Sequence, residues 1–381
     1  MKVSNEDKGI LAALSAPFFM ALGFITWENV WTKRGSAFSL NLFKCNMASI
    51  LFLILGLIFG FTVENDDDDN STFESIGFLV VSGLIGIVVG DLFWLEALRR
   101  LGAFKVLLID TLKPFAATFC GRMILGESIN EIAYVGILFT AFGVLIVSVE
   151  QQQSEIESSS SGESTTEVEK DDNVGEVNAI PLSASVSETK CEENCIQIQD
   201  EHEEENHEDA NSSLGSIRIG YFMAFSNILL DTGGSILTKV YGAKFTTWGI
   251  NLIRFGSSGT FLIFVSVIMR LLAKRHSIAE EYEVFNKASW YRLPSNMNYQ
   301  DWSKVSLGVV FVTFLCPALS NYALFQIALA LALTLGSITP VYALILEWAI
   351  LPNERPTLRA FIGASLAVAG VAVLSIFKNA G

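Results

Sequence analysis

The chain has 381 residues, of which 51% are hydrophobic and 17% charged, with a mean hydropathy of +0.44, a balance that excludes an ordinary soluble globular protein. The formal charge of −15 misleads, because Glu150 to Asp209 holds 19 of the 40 acids against only Lys170 and Lys190. The remaining 21 acids and 23 basic residues nearly cancel, so the sequence reads as two apolar blocks joined by an acidic tether.

A helical membrane span needs about 20 mostly apolar residues. Ten stretches meet that requirement: 9–30, 39–62, 75–98, 104–124 and 130–149, then 216–238, 247–272, 304–326, 328–350 and 357–377. Gly9 to Val30 is too long for the apolar core of a signal peptide and lacks a small-residue cleavage site, so it reads as a retained first span. The second and third spans are separated by the acidic loop ENDDDDNSTFE. Residues 150–214, rich in Ser, Glu and Asp, bury too little apolar surface to offset their ordering entropy and are expected to be a disordered linker. Residues 273–303 form a polar and aromatic loop suited to the membrane interface. Of the five cysteines, Cys45, Cys120 and Cys316 lie in apolar runs as inert packing residues, and the set implies no disulfide framework.

The chain contains one pattern twice. Ala97-Leu98 matches Ala323-Leu324 and Pro114 matches Pro340 at an offset of 226; Glu127, Gly136 and Gly143 match Glu354, Gly363 and Gly370 at 227. Upstream, Thr32-Lys33 resembles Thr238-Lys239, and Asn41 to Lys44 (NLFK) resembles Asn251 to Arg254 (NLIR). The reading is a duplication of a unit of about 150 residues: a first repeat over 1–149, the linker over 150–214 and a second repeat over 215–377. Five spans per repeat is an odd number, so the second copy enters the membrane from the opposite side. The fold class expected is an all-α integral membrane protein of ten transmembrane helices in two inverted repeats, an architecture associated with alternating access. Pro114 and Pro340, near the centre of their spans, are expected to kink them and serve as hinges. Gly136/Gly143, Gly363/Ala367/Gly370 and Gly86/Gly90 give small-residue faces for close helix packing.

These residues resemble the EamA family of the drug/metabolite transporter superfamily. Its pattern of an Ala-Leu pair, a central Pro, a Gly-Glu step and two spaced glycines appears in the first repeat as Ala97-Leu98, Pro114, Gly126-Glu127, Gly136 and Gly143. The second repeat keeps it, except that Asn353 replaces the Gly of the Gly-Glu step. A basic residue early in the second helix of each repeat, Lys44 and Arg254, is also similar to the family. The resemblance implies a ten-helix basket in which helices 1–4 and 6–9 line a central cavity while 5 and 10 stay peripheral.

Ionisable side chains within spans cost several kcal/mol unless they face a cavity or a partner, so each marks a candidate site. Asp110 and Lys113 share a helix face at i,i+3 spacing, as a substrate site or as a self-neutralising pair. Lys44 and Arg254 lie about one turn inside their spans, placed either to snorkel to the interface or to hold an anion from two pseudo-symmetric sides. Asp91, Glu96 and Asp231 are candidates for proton relay or cation contact, with Glu347 the weakest because it sits near a span end; Asn321 and Gln326 could hydrogen-bond a substrate. Glu28, Glu127 and Glu354 mark helix ends and suit solvated or capping roles.

Cys191, Cys195, His202 and His207 have zinc-like pair spacings, but six residues separate the pairs where a finger has about twelve, and no apolar residues stand ready to build a mini-core. No metal and no cofactor are expected. The three histidines (His202, His207, His276) lie in loops and no Walker A sequence is present, which speaks against an enzyme or an ATP-driven pump of that type. The expected partners are a small-molecule substrate and the lipid bilayer, with no nucleic acid; a homodimer and a coupling proton or ion are compatible with the sequence.

Positive residues favour a cytoplasmic linker with the termini outside, whereas the family resemblance implies cytoplasmic termini, and the sequons at Asn70 and Asn211 fall on opposite sides. The leading expectation is a secondary transporter of a small metabolite, with Lys44, Asp110, Lys113 and Arg254 facing the cavity. The basic pair suggests an organic anion or a nucleotide- or phosphate-bearing solute. A triose-phosphate-type translocator fits less well, because the ninth span lacks that family's basic pair. The alternative is a non-transporting membrane scaffold or receptor acting through its acidic linker.

Overall fold

The structure, a computed structural model, describes residues 4–31, 35–63, 69–101, 106, 109–110, 112–127, 131–161, 217–276, 290–295, 297–350 and 357–376. Among them there is no strand, only an isolated antiparallel bridge between Thr62 and Phe245. The first repeat comprises α1 (Asn5–Trp31), α2 (Ala37–Phe59), α3 (Asp69–Gly83), the π-helical segment π1 (Leu84–Gly90), α4 (Asp91–Leu101), α5 (Lys113–Ile124) and α6 (Glu131–Ser161). The second comprises α7 (217–241), α8 (Thr247–His276), α9 (Tyr299–Val309), π2 (Val310–Leu315), α10 (Cys316–Gln326), α11 (Leu329–Gly336), α12 (Thr339–Ile350) and α13 (Leu358–Ile376). The linker 150–214 lies outside the described residues beyond Ser161, as do Cys191, Cys195, His202, His207 and Glu354, and the side chains of Glu28 and Glu347.

Among the described residues six helical stretches are long and apolar enough to cross a bilayer: Asn5–Trp27, Ala37–Phe59, Ser71–Leu101, Thr247–Arg275, Tyr299–Gln326 and Leu329–Leu346. Glu131–Ile146 and Leu358–Val373 are shorter apolar helices. Their outward faces carry large apolar side chains that water would not tolerate in such density: Leu57 is 71% exposed, Phe142 60% and Phe361 65%. Such a surface belongs in lipid. The chain is an integral multi-pass membrane protein.

Close packing uses the small residues picked out by the repeat. A Cβ on Gly143 would lie 2.3 Å from the Ala367 nitrogen, and one on Gly370 would lie 2.4 Å from the Thr140 nitrogen, so α6 and α13 meet backbone to backbone. The Gly86–Gly90 pair packs on α7, where Ser82 Oγ donates to the Gly234 carbonyl at 2.7 Å, but its segment is π-helical rather than α-helical. At the far end of α2, Gly60 takes φ +88° and the following residues hydrogen-bond the α7–α8 turn (Val63 N to Lys244 O, 3.0 Å; Thr246 N to Phe61 O, 2.9 Å), tying the two repeats together.

The two prolines do not kink continuous helices. Pro340 occupies the second position of α12, after a turn at Ser337–Ile338 that ends α11, and Pro114 occupies the second position of α5. Proline has no N–H to give and its fixed φ suits a first helical turn, so it starts a new helix where an interior position would bend one. In the second repeat the expected ninth span is therefore a discontinuous helix, 329–336 followed by 339–350.

Candidate cavity between the repeats

A cavity of about 260 Å³ lies inside the helical bundle. Its wall is drawn from α1, α2, π1, α4, α5, α7, α8, π2, α10, α11 and α12, together with Asp110, and from neither α6 nor α13. Polar side chains converge on it from both repeats, while Met20, Phe24, Trp27, Trp94 and Phe255 supply an apolar and aromatic remainder. That mixture, mostly apolar with a few placed charges, is the make-up of a small-molecule site.

Of the ionisable candidates, Lys44, Asp91, Asp110, Lys113, Asp231 and Arg254 all line this cavity: three cations and three carboxylates. Their pairing is uneven. Lys44, only 6% exposed, does not snorkel; its Nζ lies 2.5 Å from Asp91 Oδ2. Lys113 Nζ sits between Asp110 Oδ1 at 3.4 Å and Asp231 Oδ2 at 3.5 Å, joining the two repeats. Trp94 Nε1 donates to the other oxygen of Asp110 at 3.1 Å.

Arg254 is different. It is 7% exposed, and among the described residues no carboxylate lies within ion-pair distance of it. Its Nη1 donates a long hydrogen bond, 3.5 Å, to Asn321 Oδ1, and its Nε has no partner. Asn321 is held in turn by donating to Asn251 Oδ1 at 2.7 Å, and Asn251 donates to the Thr247 carbonyl at 2.9 Å. Gly86 and Gly234 flank the guanidinium: a Cβ on either would lie in ordinary contact with Arg254 Nη2, at 3.4 and 3.6 Å.

The duplication explains the asymmetry. Lys44 and Arg254 occupy matching places in α2 and α8, but the position 226 residues after Asp91 is Pro317, which carries no charge. The two walls otherwise agree closely, since π1 begins at Leu84 and π2 at Val310, again 226 apart. A π-helical turn leaves carbonyls out of the regular ladder, and short π segments recur at functional sites. In the first repeat Asn41 Nδ2 donates to a carbonyl of π1, that of Ile87, at 2.9 Å.

Three candidates lie elsewhere. Glu96 does not line the cavity; at i,i+3 and i,i+4 it is captured by Arg99 (2.6 Å) and Arg100 (2.7 Å) at the end of α4. Gln326 is the last residue of α10 and packs against Gly9 of α1, outside the wall. Pro114 is buried away from the cavity, whereas Pro340 lines it. Sequence reasoning missed Asn227 and Ser235, which line the wall with Asp231. Their i, i+4, i+8 spacing in an apolar stretch was the available signal.

The family model for EamA-like transporters matches residues 7–149 and 218–376, one match per repeat. The chain belongs to the EamA-like transporter family. No curated protein matches it. One solved crystal structure is similar over 96% of this chain and 97% of its own, with a TM-score of 0.58 at 14% identity, which shows a shared fold. Membership makes the chain a membrane transporter of the drug/metabolite superfamily, a family of transporters rather than enzymes.

Proposed function

We propose that this EamA-like chain is a secondary transporter that moves a small anionic metabolite by alternating access between two inverted five-helix repeats, ten spans in all. The observation that carries the anion is Arg254, a buried guanidinium that, unlike Lys44 and Lys113, makes no ion pair with any carboxylate of the cavity. A buried guanidinium with no carboxylate in direct contact and an unpaired Nε is costly, and an anionic ligand lowers that cost while gaining charge-assisted hydrogen bonds. A carboxylate or phosphate oxygen would take the free Nε of Arg254, with Asn321 beside it. Lys44, Asp91, Asp110, Lys113 and Asp231 make up the rest of the substrate-facing charge, and the three carboxylates offer places for a coupling proton or ion. The cavity volume favours a small solute, being just below the roughly 300–1,000 Å³ usual for ligand sites. The breaks at Pro340 and before Pro114 serve as hinges, as discontinuous helices do in inverted-repeat transporters.

The test is a thermal-shift screen of the purified protein against organic acids, sugar phosphates, amino acids, nucleosides and amines. A true ligand at 100 times its Kd stabilises the folded state by about 2.7 kcal/mol. The expected hits are anions, and Arg254→Ala abolishes them. Hits confined to neutral or cationic solutes, or anion hits that survive Arg254→Ala, sink the proposal.

A further inference from the structure

The Glu127 side chain, which the sequence places at a helix end, caps a helix of the other repeat. Past the end of α5, Gly126 takes φ +65°, and Glu127 N returns to the Gly121 carbonyl at 3.1 Å. Gly121 keeps the space clear: a Cβ there would lie 3.1 Å from Glu127 Oε2. That oxygen accepts the backbone N–H of Leu329, the first residue of α11, at 2.8 Å. The other oxygen, Oε1, lies 2.6 Å from Lys239 Nζ at the end of α7, and the same ammonium donates to the Ile327 carbonyl at 2.8 Å. One carboxylate of the first repeat thus gathers three pieces of the second: the end of α7, the last turn of α10 and the start of α11.

The cluster closes one end of the bundle. Ile10, Ile236, Leu324, Ile327 and Leu329 pack together around it, all buried. The side chains of Lys239 and Glu127 are only 20% and 15% exposed. Gly9 of α1 presses on Gln326 and Ile327, so the cluster lies on the membrane face where α1 begins. From there the eight-residue α11 runs to the cavity, which Leu333, Gly336 and Ser337 line. Whatever holds or releases the start of α11 therefore moves the cavity wall.

We infer that Glu127 and Lys239 form a latch between the repeats, closed here, whose opening admits the cavity to the side bearing the start of α1. The pair suits two states. Closed, it satisfies the orphan N–H of α11 and the Ile327 carbonyl; open, both charges are taken up by water, so neither arrangement leaves a charge stranded. The latch rests on the transport reading for its purpose, but its test needs no substrate.

Cys316 is a free thiol in the cavity wall and serves as the reporter. The full chain, with Cys45 replaced by Ala and Cys120, Cys191 and Cys195 by Ser, is reconstituted in oriented vesicles and treated with a membrane-impermeant maleimide. From the side of α1's start, Glu127→Gln and Lys239→Met are each expected to speed Cys316 labelling at least about fivefold, the lower bound of ordinary conformational coupling. Lys239→Arg, which keeps the charge and a donor to Ile327, restores slow labelling. Labelling within about twofold of the parent in whichever of the two loss variants retains its cooperative melt overturns the latch. The two readings fail separately. Anion binding lost on Arg254→Ala with latch-independent labelling keeps the site and removes the latch; latch-dependent labelling without anion binding does the reverse.

Discussion

Lys44 and Arg254 stand at equivalent places in the two repeats and meet opposite circumstances. Around Lys44 the cavity supplies a carboxylate, Asp91, at 2.5 Å; around Arg254 the matching position is Pro317, and among the described residues the guanidinium's polar partner is a neutral amide at 3.5 Å. The scaffold is otherwise held in common, down to the π-helical segments that precede the two positions. A symmetric fold thereby carries an asymmetric charge pattern. In one half the cation is ion-paired, and in the other it meets only an amide.

The comparison breaks most sharply at Asp91. Asp91→Asn strands the Lys44 ammonium, 6% exposed, and is expected to cost about 3 kcal/mol, the low end of the range for a broken buried pair because Asp91 is itself one-third exposed. Thermal melts in detergent read the loss, and added anion should restore much of it, since the variant leaves the cavity with three cations against two carboxylates. Next in size, Arg254→Ala should weaken anion binding by about 10- to 150-fold, the value of a lost charge-assisted hydrogen bond. The same variant should melt no lower than the parent without ligand, because it removes a buried charge that makes no ion pair and leaves its Nε unpaired. A clear drop in the ligand-free melt would show that Arg254 is structural. Pro317→Asp sharpens the contrast by giving the second repeat the acid of the first. Anion affinity, measured by calorimetry, should fall by about tenfold or more as the new carboxylate competes for the guanidinium. Unchanged affinity would mean that position 317 does not govern Arg254. The smallest effect is expected from Glu96→Gln, whose i,i+3 and i,i+4 partners lie outside the cavity: about 0.5 kcal/mol or less in stability, and unaltered binding.

Much of this was legible in the sequence, for definite reasons. The duplication shows as a fixed offset, and Asp110 with Lys113 as a pair three residues apart, close enough along the chain for their side chains to meet even across the start of α5. Lys44 and Arg254 stood out for being charged within apolar stretches. Their difference did not, because the Lys44–Asp91 contact joins residues 47 apart on different helices, which no local period reports. The same holds for the Lys113–Asp231 link between repeats and for the capping of α11 by Glu127, 202 residues away. Glu96 misled by its apolar setting, since the two arginines that satisfy it follow only after the apolar run has ended. The prolines misled in another way: their position is visible in the sequence, but whether the chain bends or restarts there depends on the packing that receives the freed carbonyls.

The paired π-helical segments also bear on history. Two copies of one gene segment diverge independently once joined, so a shared irregularity of the backbone at a constant offset dates from before the joining. π1 and π2 begin 226 residues apart, whereas Asp91 and Pro317, at the same offset, differ. The irregular wall therefore belonged to the single ancestral unit, and the difference in charge between the two halves arose afterwards.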